Sequence, residues 1–302
     1  MRKGVADFRS RADYIYDIIN TFFILLVFII VIYPLYFIVI ASISSPAGVG
    51  TGKVILFPDT FNIEGYKRIF ENSEIWRGYR NSVFYAMFGT LVHVTSTLCS
   101  GYFFTRRELP FRRVLLTIFI IPMFFSGGLI PTYLIISQLK LVNNPVLLII
   151  LGSVSMYYIV IARTFIDSTI PRDLFDASRI DGSNNLYYFY KIVIPLSKPL
   201  ISMLAVFSAV GHWNSYFNAL IYMNKREWIP LQLILREILN ANNAMQQQFD
   251  IGLVGEDALH AAMLAESVKY GLIIVSSLPV IAIYPFAQKH FVKGLMIGSI
   301  KG

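Results

Sequence analysis

The chain has 302 residues, 56% of them hydrophobic and only 15% charged. Soluble domains carry about 25% charged residues, so this composition excludes an ordinary soluble domain and points to a polytopic membrane protein. The formal net charge of +8 would suit a nucleic-acid binder only if the cations shared one surface; here they fall in the connections between apolar runs, which is a topology signal.

Six runs are long enough to cross about 30 Å of hydrocarbon at about 1.5 Å per residue. They are Ile18 to Ile43, Ser82 to Phe104, Val114 to Ile136, Val146 to Ala162, Leu200 to Met223 and Tyr270 to Phe286. Alternate connections hold 16 of the 26 Lys and Arg residues, and that side is net positive while the other is neutral. Positive loops are retained in the cytoplasm, so both termini are expected there. The first run follows a basic tail but exceeds the usual signal-peptide core of about 7 to 15 residues, and reads as an uncleaved anchor.

The connection from Ser44 to Asn81 contains Pro46, Pro58 and a mildly amphipathic stretch, Tyr66 to Phe70. Its segment Ala47-Gly-Val-Gly-Thr-Gly-Lys-Val54 imitates a phosphate-binding loop. That motif needs a leading Gly and a Ser or Thr after the Lys, in a strand-to-helix turn; Ala47 and Val54 occupy those places, so nucleotide binding by this chain is rejected. The lone Cys99 excludes an intrachain disulfide and a cysteine-based metal cluster. His93 and His212 stand alone in the second and fifth runs, and each reads as a hydrogen-bonded bundle residue rather than a metal ligand.

In the third run Pro122, Ser126-Gly127-Gly128 and Pro131 interrupt the backbone. Either the run ends early and turns, or it forms a kink covered by protein or a cavity. No Asp, Glu, Lys or Arg lies within any of the six runs. Ion-driven carriers and voltage sensors need such groups, so energy is expected to enter from outside the membrane.

Between Arg163 and Lys198 lies a charged insert. Ser168-Thr169-Ile170-Pro171 predicts a helix start, Leu174, Phe175 and Ser178 share one face, and Asp181-Gly182 predicts the stop. A second element, Leu186 to Val193, is rich in Tyr and Phe, and Pro195 and Pro199 separate it from the fifth run. On the residues alone this is either a capped surface helix pair or a lug that receives force from a soluble partner. In the fifth run Trp213, Asn214, Tyr216 and Asn218 offer rings and amides suited to sugars, and equally suited to a packed helix crossing. The connection Asn224 to Lys269 is the longest soluble segment, with a polar run from Asn240 to Gln248; it is either a docking element or unstructured.

Asp176-Ala177-Ser178-Arg179-Ile180-Asp181-Gly182, followed by Ile194-Pro195-Leu196 and Pro199, resembles the signature loop of ABC importer permeases, with Asp176 for Glu and Ser178 for Ala. Ile161-Ala-Arg-Thr-Phe165, Trp213-Asn-Ser-Tyr-Phe217 and the ending Gln288 to Gly302 are similar to maltose-type carbohydrate permeases. Phe124 to Tyr133 and Leu139 to Asn143 resemble the branch linked to oligosaccharides and glycan fragments. The resemblance implies an all-α, six-span type I ABC importer permease fold with a tail 1–17, a first span 18–43, an extracytoplasmic loop 44–81, a core 82–286 and a tail 287–302. Within that core it implies a coupling loop 163–198 and an extracytoplasmic loop 224–269. It also implies a transport subunit without catalytic residues, metal or cofactor of its own. The implied partners are a second, homologous permease, two ATPase subunits holding ATP and magnesium, and an extracytoplasmic sugar-binding protein. Phe175, Asp176, Ala177, Ser178, Arg179, Asp181 and Gly182 would couple to the ATPases, and Gly298, Lys301 and Gly302 would reach them from the C-terminus. Other cargoes within the same machine (a polyol phosphate, a small sugar, a peptide), a membrane-embedded glycan-processing enzyme and a sensory bundle are the competing readings.

Overall fold

A computed structural model describes residues 10–250 and 268–285. Among the described residues every regular element is helical. In chain order these are α1 (Arg11–Ser42), α2 (Pro46–Gly50), α3 (Glu64–Glu71), α4 (Ser73–Thr105), α5 (Arg112–Phe124), α6 (Leu129–Gln138), α7 (Pro145–Ile150), α8 (Met156–Thr169), α9 (Arg172–Ile180) and α10 (Asn185–Tyr188). A π-turn over Phe189–Val193 leads to α11 (Ile194–Leu196), α12 (Lys198–Trp213) and α13 (Phe217–Tyr222). A 3-10 turn at Arg226–Trp228 precedes α14 (Leu231–Asp250), and α15 covers Val268–Pro285. The chain divides into two compact units, one of 1–71 and 239–275, the other of 72–238 and 276–302.

In the first unit α1 is apolar on every side and buried only at Ile40, Ala41 and Ser42. A helix hydrophobic all round that is not inside protein belongs in lipid. The imitation phosphate loop is closed by protein. Ser45 donates to Asp59 through its amide at 3.1 Å and its hydroxyl at 2.5 Å, and a side chain at Gly48 would collide with the Asp59 carboxylate. That carboxyl is held below the usual range, first by the Ser45 hydroxyl and then by the amides of Thr60 and Ser45. The clasp is therefore complete at neutral pH and is lost only as pH falls through that lowered value. The amphipathic stretch near Tyr66 is α3, whose Tyr66 donates to Ser42 at 2.9 Å.

The second unit is organised by α4, whose 33 residues span about 50 Å. Its buried residues recur at three- and four-residue steps and include Gly78, Ser82, Gly89 and Gly101. Small residues let helix backbones approach, which is the main packing device where lipid removes the hydrophobic drive. Gly78 meets Leu231 and Ile234, Gly89 meets the His212 ring, and Gly101 meets Ala162 and the Arg163 amide.

Three expected spans differ in detail. The third run is two helices, α5 ending at Phe124 and α6 starting at Leu129, bent by 115° at a break where Gly128 takes φ +86°. The fourth run is α7 and α8 with a break at Leu151 to Ser155, because Gly152 takes φ +81°. The fifth stops at Trp213 and resumes at Phe217. Each freed carbonyl in lipid needs a partner. The Ser153 carbonyl accepts from His93 Nδ1 at 3.0 Å and from the Ser96 hydroxyl at 3.1 Å. A carbonyl only accepts, so Nδ1 carries the proton and His93 is the hydrogen-bonded bundle residue expected.

The segment after α13 begins as packed structure. Asn81 donates to the carbonyls of Glu227 at 2.8 Å and Ile229 at 3.0 Å, Tyr85 donates to Trp228 at 2.8 Å, and the Leu231 amide donates to Ser82 at 2.9 Å. Arg226 pairs with Glu74 at 2.9 Å and with Glu237.

Gly101→Val is expected to lower stability by about 1–3 kcal/mol, because the new side chain meets helix backbone that cannot step aside. Gly127, which faces open space, should accept alanine with little effect. Thermal unfolding of the purified complex in detergent, compared for the two variants, checks this.

Candidate functional site: the charged insert and the broken fifth span

The insert folds as a helix, a tight turn and a second helix, all in the second unit. Ser168 and Thr169 end α8 instead of capping the next helix; Pro171, whose fixed φ suits a helix start, occupies the cap of α9. The expected stop is present. Ser183 N–H donates to the Ser178 carbonyl at 2.9 Å and Gly182 N–H to the Arg179 carbonyl at 3.1 Å, with Gly182 at φ +75°. These are the paired bonds of a Schellman motif, and the left-handed residue favours glycine.

Phe175 and Ser178 form the inner face of α9, and Leu174 is 40% exposed beside them. The Ser178 hydroxyl returns to the Phe175 carbonyl at 2.7 Å. The Phe175 ring meets Tyr188 edge-on at 5.2 Å, and Tyr102 lies against Phe189 at 5.1 Å. Arg106 is the residue that the sequence reading missed. Its guanidinium stands 3.7 Å over the Phe175 ring and 4.8 Å from Tyr102, and it donates to the Asn185 side chain at 2.6 Å. Arginine at the C-cap of α4 also suits the negative end of that helix. A rule tuned to the insert alone could not find it, since it lies 69 positions before Phe175.

Asp176, Ala177, Arg179, Asp181 and Gly182 face outward. Ile180, between two charged neighbours, is 87% exposed. An isolated exposed apolar residue is ordinary, but one carried at the tip of a capped, braced helix is a ready contact for another protein. Gly298, Lys301 and Gly302 lie outside the described residues.

The four residues of the fifth run separate. Trp213 is buried, donates its indole N–H to the Ser276 carbonyl at 3.0 Å and meets Tyr79 edge-on at 5.2 Å. Asn214 and Tyr216 are exposed at the break, and Arg236 stands 4.7 Å over the Tyr216 ring. Asn218 lines a cavity of about 250 Å³ with Ser215, His212, Tyr158 and His93. The His93 Nε2, left as an acceptor by the proton on Nδ1, is buried there without a partner among the described residues. No group of three or more metal-ligating side chains occurs among the described residues.

The helices and the capped, outward-facing α9 give the architecture, and comparison with known proteins gives the family. Residues 93–297 match the family described as binding-protein-dependent transport system inner membrane component, and the chain belongs to that family. It is similar to Protein LplC of Bacillus subtilis (strain 168), 34% identical over 97% of each chain. It is also similar to the polygalacturonan/rhamnogalacturonan transport system permease protein YtcP of the same organism, 34% identical over 95% of this chain and 99% of that one. Among solved structures, a bacterial ABC transporter involved in the import of the acidic polysaccharide alginate contains a chain matching 95% of this one and 100% of its own length. The TM-score there is 0.84 and the identity 30%. The protein is a multi-pass membrane permease subunit of an ABC importer and not an enzyme.

Arg106→Ala is expected to loosen α9 by about 1–2 kcal/mol through loss of the ring contact and the Asn185 bond. Hydrogen exchange over 172–183 should rise about tenfold, while exchange in the centre of α4 stays unchanged.

Proposed function

We propose that this chain forms half of the translocation pathway of an ATP-driven importer of carbohydrates, with oligosaccharides or glycan fragments as cargo. The observation that carries the reading is α9, a capped helix braced on the bundle by Arg106 and bearing Ile180 outward. A subunit without charged residues in its apolar runs has no evident internal means of using an ion gradient, so force must arrive through such a part. The choice of cargo is supported by the similarity to a polygalacturonan/rhamnogalacturonan permease and to an importer of alginate.

In this reading six spans cross the membrane and both termini are cytoplasmic. A second permease completes the pathway, two ATPase subunits hold ATP and magnesium, and an extracytoplasmic binding protein delivers the sugar. Phe175 and Ser178 hold α9 to the bundle, while Asp176, Ala177, Arg179, Ile180 and Asp181 meet the ATPase and Gly182 fixes the turn. Gly298, Lys301 and Gly302 contact the ATPases from the tail. Asn214, Tyr216 and Asn218 face the pathway, and Trp213 fixes the helix that carries them.

Ile180→Asp is expected to weaken ATPase association roughly 10- to 100-fold, from the lost burial of one aliphatic side chain. Gly182→Val should leave ATP hydrolysis while uptake of labelled glycan fragments into vesicles falls, since a β-branched residue strains the left-handed turn. Co-purification of the ATPase at wild-type level with Ile180→Asp, together with normal uptake by Gly182→Val, would overturn the coupling role.

Trp213→Ala should cost about 3–5 kcal/mol and reduce recovery of assembled complex. Asn218→Ala should assemble normally and transport more slowly. Size-exclusion profiles and uptake rates of the two variants distinguish support from pathway contact.

A further inference from the structure

We infer that a cleft at the foot of α5 is a binding site for the phosphate head of an anionic phospholipid. The cleft has a volume of about 710 Å³ and is lined by Arg107, Arg112, Arg113 and Arg163, with Leu109, Phe111, Val114 and Leu116 as its remaining walls. No carboxylate is among the lining residues. Arg112 lies within electrostatic reach of Arg163, Arg107 and Arg172; of the carboxylates beside the cleft, Asp167 also acts on Arg112 but is paired with Arg172 at 3.6 Å, and Glu108 follows Arg107 without lining the cleft. Like charges so gathered repel one another unless an anion sits among them.

Two further observations point to that anion. The Nε of Arg163 is buried with no hydrogen-bond partner among the described residues. A buried, unpaired guanidinium N–H costs free energy until an acceptor reaches it. The 13-residue helix α5 starts without a side-chain cap, from Phe111 at φ +56°, and has no acidic residue in its first turn. The first residues of α5 line the cleft, so its leading amides and the positive end of its dipole lie beside it with no cap or acidic side chain to offset them, an arrangement suited to phosphate.

The walls select a lipid over a free ion. No residue of α5 is buried, and Val114, Ile118 and Ile121 are all about half exposed. Phe111 at the helix start is 80% exposed, as an aromatic at the headgroup level would be. A phosphodiester in the cleft would place its acyl chains along this apolar surface. Basic pockets at the ends of membrane helices hold acidic headgroups in this manner. The site requires a bilayer around α5 and nothing of the transport cycle.

Native mass spectrometry of the intact transporter, purified in a neutral detergent with phosphatidylglycerol titrated against phosphatidylcholine, tests the inference. The wild type is expected to retain phosphatidylglycerol in preference. R112Q/R113Q should weaken that retention about 25-fold, at about fivefold per charge, whereas R112K/R113K keeps most of it. Equal retention of the two lipids, or unchanged retention by R112Q/R113Q, would overturn the site. Binding of inorganic phosphate at millimolar concentration without any lipid preference would overturn the lipid as its source. Should R112Q/R113Q fail to assemble, photoactivatable phosphatidylglycerol on the wild-type complex decides: labelling of peptides within 107–116 supports the site, and labelling confined to other helices refutes it.

Discussion

A carbonyl freed inside hydrocarbon has no water to turn to, and in the second unit α4 supplies the missing partners. His93 and Ser96 close the break between α7 and α8, and outside the apolar runs the same helix fixes the turn into α14, where Asn81 and Tyr85 donate to carbonyls and Ser82 accepts from the Leu231 amide. The same helix presents Gly78, Gly89 and Gly101, so the segments whose backbones it satisfies can also approach it closely. The two functions depend on each other. A donor on a short side chain reaches a neighbour's carbonyl only when the two backbones are near, and glycine at the crossing brings them near. The short helix α7 is thereby tolerable at membrane depth, and the end of α13 is satisfied from another side, where Asn143 N–H donates to the Tyr222 carbonyl at 2.9 Å.

In the proposed coupling role, the end of α4 is also where force would enter. Arg106 caps that helix and covers Phe175, so α9 is held to the same post that orders the breaks. The joint is made of faces and edges of rings with one cation among them, and its strength varies little with small sliding, unlike a set of linear hydrogen bonds. The Schellman turn at Gly182 is more demanding, because two backbone bonds and a left-handed residue must coincide. A rigid tip on a compliant joint suits a part that is pushed and must return.

Much of this was legible in the residues. The insert's helix, its glycine stop, the outward charged face and the interruption at Gly127-Gly128 all come from local chemistry, which travels little beyond a few positions. Asp176 and Arg179 could be placed outside, and Ser178 inside, from helical spacing alone. The partners of His93, the bracing by Arg106 and the packing of the segment after Tyr222 were not legible, because each depends on contacts between residues 60 or more positions apart. The fourth and fifth apolar runs show the same limit. Hydropathy measures transfer of side chains and is insensitive to a single Gly152 at φ +81°, which divides a span without changing its polarity. Trp213 illustrates the reverse case: its chemistry suits a sugar wall or a helix crossing, and only the Ser276 bond and the Tyr79 edge place it in packing.

The surfaces left uncovered are as informative as those that pack. Along α5 and most of α1 no residue is buried, whereas α4 and α12 bury residues throughout their length. Apolar helices gain little by leaving lipid for one another, so α5 is held by few contacts of its own and depends on what surrounds it. Its foot then carries four arginines at one cleft with no carboxylate in the lining, and the nearby Asp167 is shared with Arg172. A loosely held helix with an unbalanced cationic end is ordered most cheaply by an anion that also lies along its apolar side, and a phospholipid has both parts. The bilayer then acts on this subunit in two ways, as the solvent of its spans and as the counter-charge that fixes the base of α5.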